Sequence, residues 1–173
     1  MRLLIVYSTI DGHTLEICER IAQLAREAGH EAELAEVEHV PVERLEACDR
    51  IVIGASIRYG RHRPAVSTFI DRHQAALEAR PNAFFSVNAV GRKPHKRQPD
   101  TNPYVRKFLR QIRWKPQQVE VFGGKVDYPR YGFFERHMIR LIMWITGGPT
   151  DPRSVTDFTD WAQVEAFARR VMA

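Results

Sequence analysis

The sequence predicts an α/β fold: a five-stranded parallel sheet with helices on both faces and a helical insertion after the fifth strand. Three observations carry this. Strand and helix patterns alternate along the 173 residues, with short loops between them. The strand patterns are nearly continuous apolar runs, as in residues 3–7 (LLIVY) and 50–55 (RIVIGA), which suits strands buried on both faces. The first run also breaks abruptly into hydroxyl and glycine residues, and a helical pattern opens at His13.

The elements follow in order. The first strand spans about 2–7, and the helix after it, about 13–28, stops at Gly29. A second strand, about 31–36, alternates Glu31, Glu33 and Glu36 with Ala32, Leu34 and Val37, the pattern of an edge strand. The third strand covers 50–55. Pro64 starts the next helix, about 64–79, and Pro81 follows it. The fourth strand is 82–88, the third long helix 101–113 and the fifth strand 118–126. A last helix, about 160–172, is expected to take its cap from Thr159. Residues 127–158 lie outside this plan. Within them, 131–146 (YGFFERHMIRLIMWIT) is a helix apolar around most of its circumference, with Arg136 and Arg140 as a narrow charged stripe. Either it is buried in the core, or its apolar face is exposed and meets a membrane surface or a greasy ligand.

Length and composition fit one domain, 1–173, with a full core, since 44% of residues are hydrophobic. The N-terminus carries no signal-peptide pattern, and no apolar run approaches the ~20 residues of a membrane span. The two cysteines, Cys18 and Cys48, are expected to be buried thiols, so the expected compartment is cytoplasmic. Charge is uneven. The first fifty residues hold eleven acids and five Lys or Arg, whereas the remainder holds ten and twenty-one. Between Asn88 and Lys115 lie nine bases and one acid, Asp100. That stretch is either a solvated face or an anion-binding surface. A nucleic-acid reading is weakest, because no recognition motif accompanies it and Phe108 and Leu109 fit packing onto the sheet.

Chemistry concentrates at the carboxyl ends of the strands, where open parallel sheets bind ligands. The first loop comprises Ser8, Thr9, Ile10, Asp11, Gly12, His13 and Thr14. It has neither GxGxxG nor GK[ST] and contains no Lys or Arg. Hydroxyls beside a helix N-terminus suit a phosphate monoester. The loop resembles the phosphate loop of flavodoxins, though taken alone it also fits a capped strand–turn–helix junction. The second loop, 56–63, offers Ser56, Ile57, Arg58, Tyr59 and Gly60. The third offers Ser86, Val87, Asn88, Ala89, Val90 and Gly91. A phosphate in the first loop puts a planar ring between the other two, with Gly60 and Gly91 allowing close backbone approach and Tyr59 either stacking on the ring or standing as an ordinary loop aromatic. Together the three loops specify an FMN site better than any one of them does.

Four segments sharpen this: VIGASIRYGRHRPA (52–65), SVNAVGRKPHKRQPDTNPYVRKFLR (86–110), YPRYGFFERHMIRLIM (128–143) and GGPTD (147–151). They resemble the bacterial flavodoxin-like, menaquinone-dependent protoporphyrinogen IX dehydrogenases over nearly the whole chain. The resemblance implies a flavodoxin-like fold, FMN, and six-electron oxidation of protoporphyrinogen IX with electrons passed to a membrane quinone. It also implies peripheral attachment to the inner face of the cell membrane. Arg58, Arg61, Arg63, Arg92, Lys93, Lys96 and Arg97 are the candidates to pair with the substrate's propionates. His62 and His95 are expected to be solvated loop histidines, no residue stands out as a general base, and no cluster has metal-ligand spacing. The competing class is a flavodoxin-type electron carrier or a general FMN-dependent quinone reductase, which has no use for the apolar insertion or the arginine-rich loops.

Overall fold

The computed structural model describes residues 1–173. Five strands pair in parallel: β1 (Arg2–Ser8), β2 (Glu31–Glu36), β3 (Arg50–Arg58), β5 (Asn82–Asn88) and β6 (Gln118–Gly123). The two-residue β4 (Arg61–His62) folds back antiparallel on the end of β3. The order is β2-β1-β3-β5-β6, with β2 at one edge as its glutamate alternation requires. The chain winds outward from β1 in one direction and from β3 in the other. The loops after β1 and β3 therefore diverge and open a crevice between them.

Period-two alternation along the strands sorts side chains into two layers. Leu4, Val6, Ile51, Ile53 and Phe84 face α3 (Pro64–Glu78), α4 (Pro103–Gln111) and the short α2 (Val42–Ala47), closing on Trp114 and Phe108. Leu3, Ile5, Val52, Phe85 and Phe122 face α1 (His13–Glu27) and α6 (Trp161–Met172), closing on Ile17, Ile21 and Phe167. Cys18 and Cys48 lie in these layers as free, buried thiols. Burial raises the pKa of both, so neither is poised as a thiolate.

Several boundaries differ from expectation, each for a local reason. The fifth strand stops at Gly123 rather than near 126. Gly123 and Gly124 turn the chain, and a Cβ at Gly123 would collide with the Phe158 carbonyl. The chain beyond forms β7 (Lys125–Asp127), which pairs antiparallel with β8 (Val155–Asp157) in a second small sheet. The insertion springs from this sheet. The third long helix starts at Pro103, not 101, because the Asn102 side chain accepts from Tyr104 N and Val105 N and caps it. The last helix is capped by Asp160, whose carboxylate accepts from Gln163 N at 3.2 Å, not by Thr159. The Thr159 hydroxyl instead donates to the Gly123 carbonyl at 2.8 Å, tying α6 to the end of β6.

Gly54, in the middle of β3, has no room for a side chain, because an added Cβ would enter the Phe85 ring. Gly54→Ala is expected to destabilise the protein by about 1–3 kcal/mol through overpacking. The denaturant midpoint measures this, and an unshifted midpoint would count against the packing described.

Candidate active site

The loop after β1 is rich in donors with nothing to receive them. Gly12 adopts a left-handed conformation with φ 87°, and its N–H donates to Thr9 Oγ1 at 3.0 Å. That bend aims the start of α1 at the crevice. The backbone N–H groups of His13, Thr14 and Leu15 have no acceptor within the protein; the first α1 bond belongs to Glu16 N, which donates to Gly12 O. The Thr14 hydroxyl is buried and has no hydrogen-bond partner. Buried donors left alone carry a cost that an anion removes.

The second loop is a tight hairpin. Arg58 and Arg61 pair across Tyr59 and Gly60, both of which have positive φ (51° and 79°). Two consecutive left-handed residues are the signature of a type I′ turn. Glycine takes this conformation freely, whereas a tyrosine there is strained. The turn leaves the Tyr59 ring 56% exposed at the crevice mouth. The third loop hangs on a buried polar chain. Ser86 Oγ accepts from Asn88 Nδ2 at 3.2 Å, and Asn88 Oδ1 accepts from Gly91 N at 3.0 Å and from Asn102 Nδ2 at 3.1 Å. The Asn88–Gly91 backbone is thus fixed to the cap of α4.

These loops share one cavity of about 660 Å³. From the first it takes Thr9, Ile10, Asp11, His13 and Thr14; from the second, Ser56, Ile57, Arg58, Tyr59 and Gly60; from the third, Val87, Asn88, Ala89 and Val90. Ser8, Gly12, Ser86 and Gly91 stand behind this wall and shape it. The sequence offered a greasy ligand as one alternative for the 131–146 helix, but the lining by Tyr104 and by 124–127 was not anticipated. Tyr104 comes from α4, Gly124 to Asp127 from the turn into β7 and β7 itself, and Arg130, Tyr131, Met138, Ile139, Ile142 and Met143 from the insertion. The Gly123-Gly124 pair was the available signal, since a double glycine at a strand end marks a change of direction.

The insertion helix, α5 (Phe133–Thr146), is not a core helix: of its residues only Met143 is buried. Its inner side lines the cavity, while Phe133, Phe134, Met138, Leu141, Trp144 and Ile145 are half or more exposed. Charged contacts stitch it to the loops. Arg58 pairs with both Asp11 and Glu135, and the Arg130 guanidinium donates to the Asp11 carbonyl at 2.8 Å. Arg92 donates to the Ala89 carbonyl at 2.7 Å and to the Thr146 carbonyl at 3.0 Å.

The basic residues therefore fall into groups. Arg58 lines the cavity with two carboxylate partners. Arg92 is a strut between the third loop and the end of α5, and burial lowers its pKa. Arg63 is engaged by Glu38 at 2.5 Å. Arg61, Lys93, Lys96 and Arg97 lie outside the cavity lining and form no ion pairs. His95 is exposed as expected, but His62 is not a solvated histidine. Hairpin alternation sends Arg61 outward and His62 inward, between the rings of Phe84 and Phe108. Its Nε2 shares a hydrogen bond with Ser86 Oγ at 2.9 Å, and burial holds the imidazole down to about 3. On the other side, His13 Nδ1 meets Glu16 at 2.8 Å and Nε2 meets Thr159 Oγ1 at 2.6 Å. Burial pushes the Glu16 carboxyl up, but His13 and Lys125 together hold it below its ordinary value.

A doubly wound sheet with an anion-seeking first loop and two further loops lining the same cavity defines a flavodoxin-type protein. The flavodoxin-domain family model matches residues 4–153, and the chain belongs to that family. Within it, the chain is 46% identical over 171 residues to an Escherichia coli protein named protoporphyrinogen IX dehydrogenase (quinone), covering 99% of this chain and 94% of that one. A Leishmania major protein of the same name is 44% identical over 168 residues, covering 96% of this chain and 73% of its own length. Among solved structures, oxidised flavodoxin 1 from Bacillus cereus superposes with a TM-score of 0.53 over 99% of this chain and 97% of its own, at 15% identity. That likeness concerns the fold. FMN is the cofactor of this family, and the unpaired Thr14 hydroxyl and α1 N–H groups fit its phosphate.

The buried His62 makes a pH prediction. Its folded pKa lies far below its unfolded one, so the unfolded chain binds the extra proton and stability falls as pH drops from about 6.5 towards about 3. In His62→Gln, the stability lost between pH 7 and pH 5 should shrink by about 1–2 kcal/mol relative to wild type. Denaturant unfolding at the two pH values checks this; parallel losses in both proteins would mean that His62 titrates normally.

Proposed function

We propose that the chain oxidises protoporphyrinogen IX to protoporphyrin IX, using bound FMN and passing electrons to menaquinone or a related quinone at the inner face of the cell membrane. One observation carries this reading. The loops that suit FMN and the apolar inner side of α5 are walls of the same cavity, in a chain 46% identical over nearly its full length to a protein named for that reaction.

Bound FMN supplies two-electron hydride chemistry, so the six-electron oxidation takes three rounds. The protein's part is placement. Residues 8–14 hold the phosphate. The Asn88–Gly91 backbone, fixed by Asn102, reads the ring's edge, and the strained Tyr59 turn holds an aromatic face at the mouth. Met138, Ile139, Ile142 and Met143 give the large apolar macrocycle a surface that excludes water. Arg61, Lys93, Lys96 and Arg97 are rim cations for propionates. Arg58 is the cavity cation for the same role, although it must share itself with Asp11 and Glu135. No residue is assigned as a general base.

The exposed face of α5 supports the membrane part. Phe133, Phe134, Leu141, Trp144 and Ile145 stand in solvent beside Arg140, a composition suited to an anionic interface. No helix is long and apolar enough to cross a membrane; in this proposal the exposed face of α5 is the contact.

Anaerobic turnover tests the reaction. FMN-loaded protein given protoporphyrinogen IX and a menaquinone analogue should form fluorescent porphyrin, with three quinones reduced per porphyrin. Flavin that the porphyrinogen leaves oxidised would contradict the proposal and favour an electron carrier. A paired Phe134→Glu, Trp144→Glu variant should stop sedimenting with anionic vesicles and lose turnover with vesicle-embedded quinone, while keeping turnover with a water-soluble one. Unchanged sedimentation would remove α5 from the membrane account.

A further inference from the structure

We infer that Arg130, which the insertion contributes, is a ligand of the flavin's phosphate. This rests on the FMN reading and extends it to a residue outside the three sheet loops.

Most of the cationic groups around the cavity are paired with carboxylates. Arg58 is neutralised by Asp11 and Glu135, Lys125 reaches Glu16 at 3.5 Å, and His13 lies between Glu16 and Asp157. Arg130 differs from these. It lines the same cavity and forms no ion pair, and its one hydrogen bond runs from Nη1 to the Asp11 carbonyl at 2.8 Å. A guanidinium has five N–H donors, so most of its capacity is unused. The same atom lies 4.0 Å from where a Cβ at Gly12 would stand, which places the cation against the turn of the first loop.

A second, independent observation lies across that turn. Thr14 is 1% exposed, lines the cavity, and its hydroxyl has no partner. An uncompensated cation, an unpaired buried hydroxyl and the bare N–H groups of His13, Thr14 and Leu15 therefore converge on one end of the cavity. Those donors fit a phosphate monoester dianion, which a guanidinium meets with two parallel hydrogen bonds. A propionate also pairs with arginine, but the macrocycle's wall is α5 and the rim, whereas Arg130 is held at residues 11–12. The insertion thus does more than cover a substrate: it closes the phosphate site that the sheet loops leave open on one side, and it strengthens selection of FMN over riboflavin.

Titration of flavin-free, full-length protein with FMN and with riboflavin, followed by flavin fluorescence, tests this in wild type, Arg130→Ala, Arg130→Gln and Arg130→Lys. Affinity for FMN should fall about tenfold or more in the Ala and Gln variants. It should recover in part in Lys, while riboflavin affinity stays within about twofold of wild type in all. Wild-type FMN affinity in either neutral variant overturns the inference, and so does an equal loss for both flavins, which would mark a structural role. Unchanged FMN affinity with a raised KM for porphyrinogen would reassign Arg130 to a propionate. Should Arg130→Ala fail to fold, Arg130→Gln carries the comparison. A wild-type protein that binds FMN no more tightly than riboflavin would overturn the FMN reading itself, an outcome distinct from all of these.

Discussion

The ligand end of this molecule is organised by one imbalance: a turn with more hydrogen-bond donors than the protein can satisfy. β1 delivers the chain to the crevice, Gly12 bends it in a left-handed conformation, and α1 begins with three bare N–H groups beside a buried, unpartnered Thr14 hydroxyl. Leaving such groups unsatisfied costs stability, and the fold tolerates that cost where binding removes it. Much of the surrounding architecture accommodates this turn. Arg58 neutralises the Asp11 carboxylate that would otherwise repel an anion, and Lys125 does the same for Glu16. His13 reaches Thr159, joining the loop to the end of β6.

The insertion turns a flavin-binding sheet into something more specialised. A flavodoxin-type carrier has to present its flavin to a partner protein. Here α5 stands across the cavity, apolar on the side facing it and apolar again on the side facing solvent. A helix with two apolar sides makes sense if it mediates between two greasy neighbours, one within the cavity and one outside. The contacts holding it in place come from the loops themselves, through Arg58 to Glu135 and Arg92 to Thr146. Cofactor loops and insertion are mechanically one site.

Much of this was legible in the sequence, and the unread parts share a cause. The five parallel strands, the edge position of β2 and the three loops follow from local signals: apolar runs, alternation, and the caps and breaks around them. The three crevice loops were readable because each is contiguous. What could not be read is where side chains from distant segments converge. Arg92 looks like a rim cation in its basic run, yet its partner is Thr146, fifty-four residues later. His62 looks solvated among arginines until β4 folds back and turns it between Phe84 and Phe108. The exposure of α5 was undecidable from composition, since a helix apolar nearly all round fits a core and an interface equally. Cap positions failed by a residue or two, as with Thr159 and Asp160, because either side chain is a competent cap and tertiary bonding chose between them.

If the sheet loops and the insertion form one flavin site, FMN steadies both. Hydrogen exchange of the full-length protein with and without saturating FMN tests it directly, segment by segment. Exchange should slow in residues 9–15 and 88–91 and, to a comparable degree, in 125–143. Protection confined to the sheet loops, with 125–143 exchanging at the same rate in both states, would contradict it.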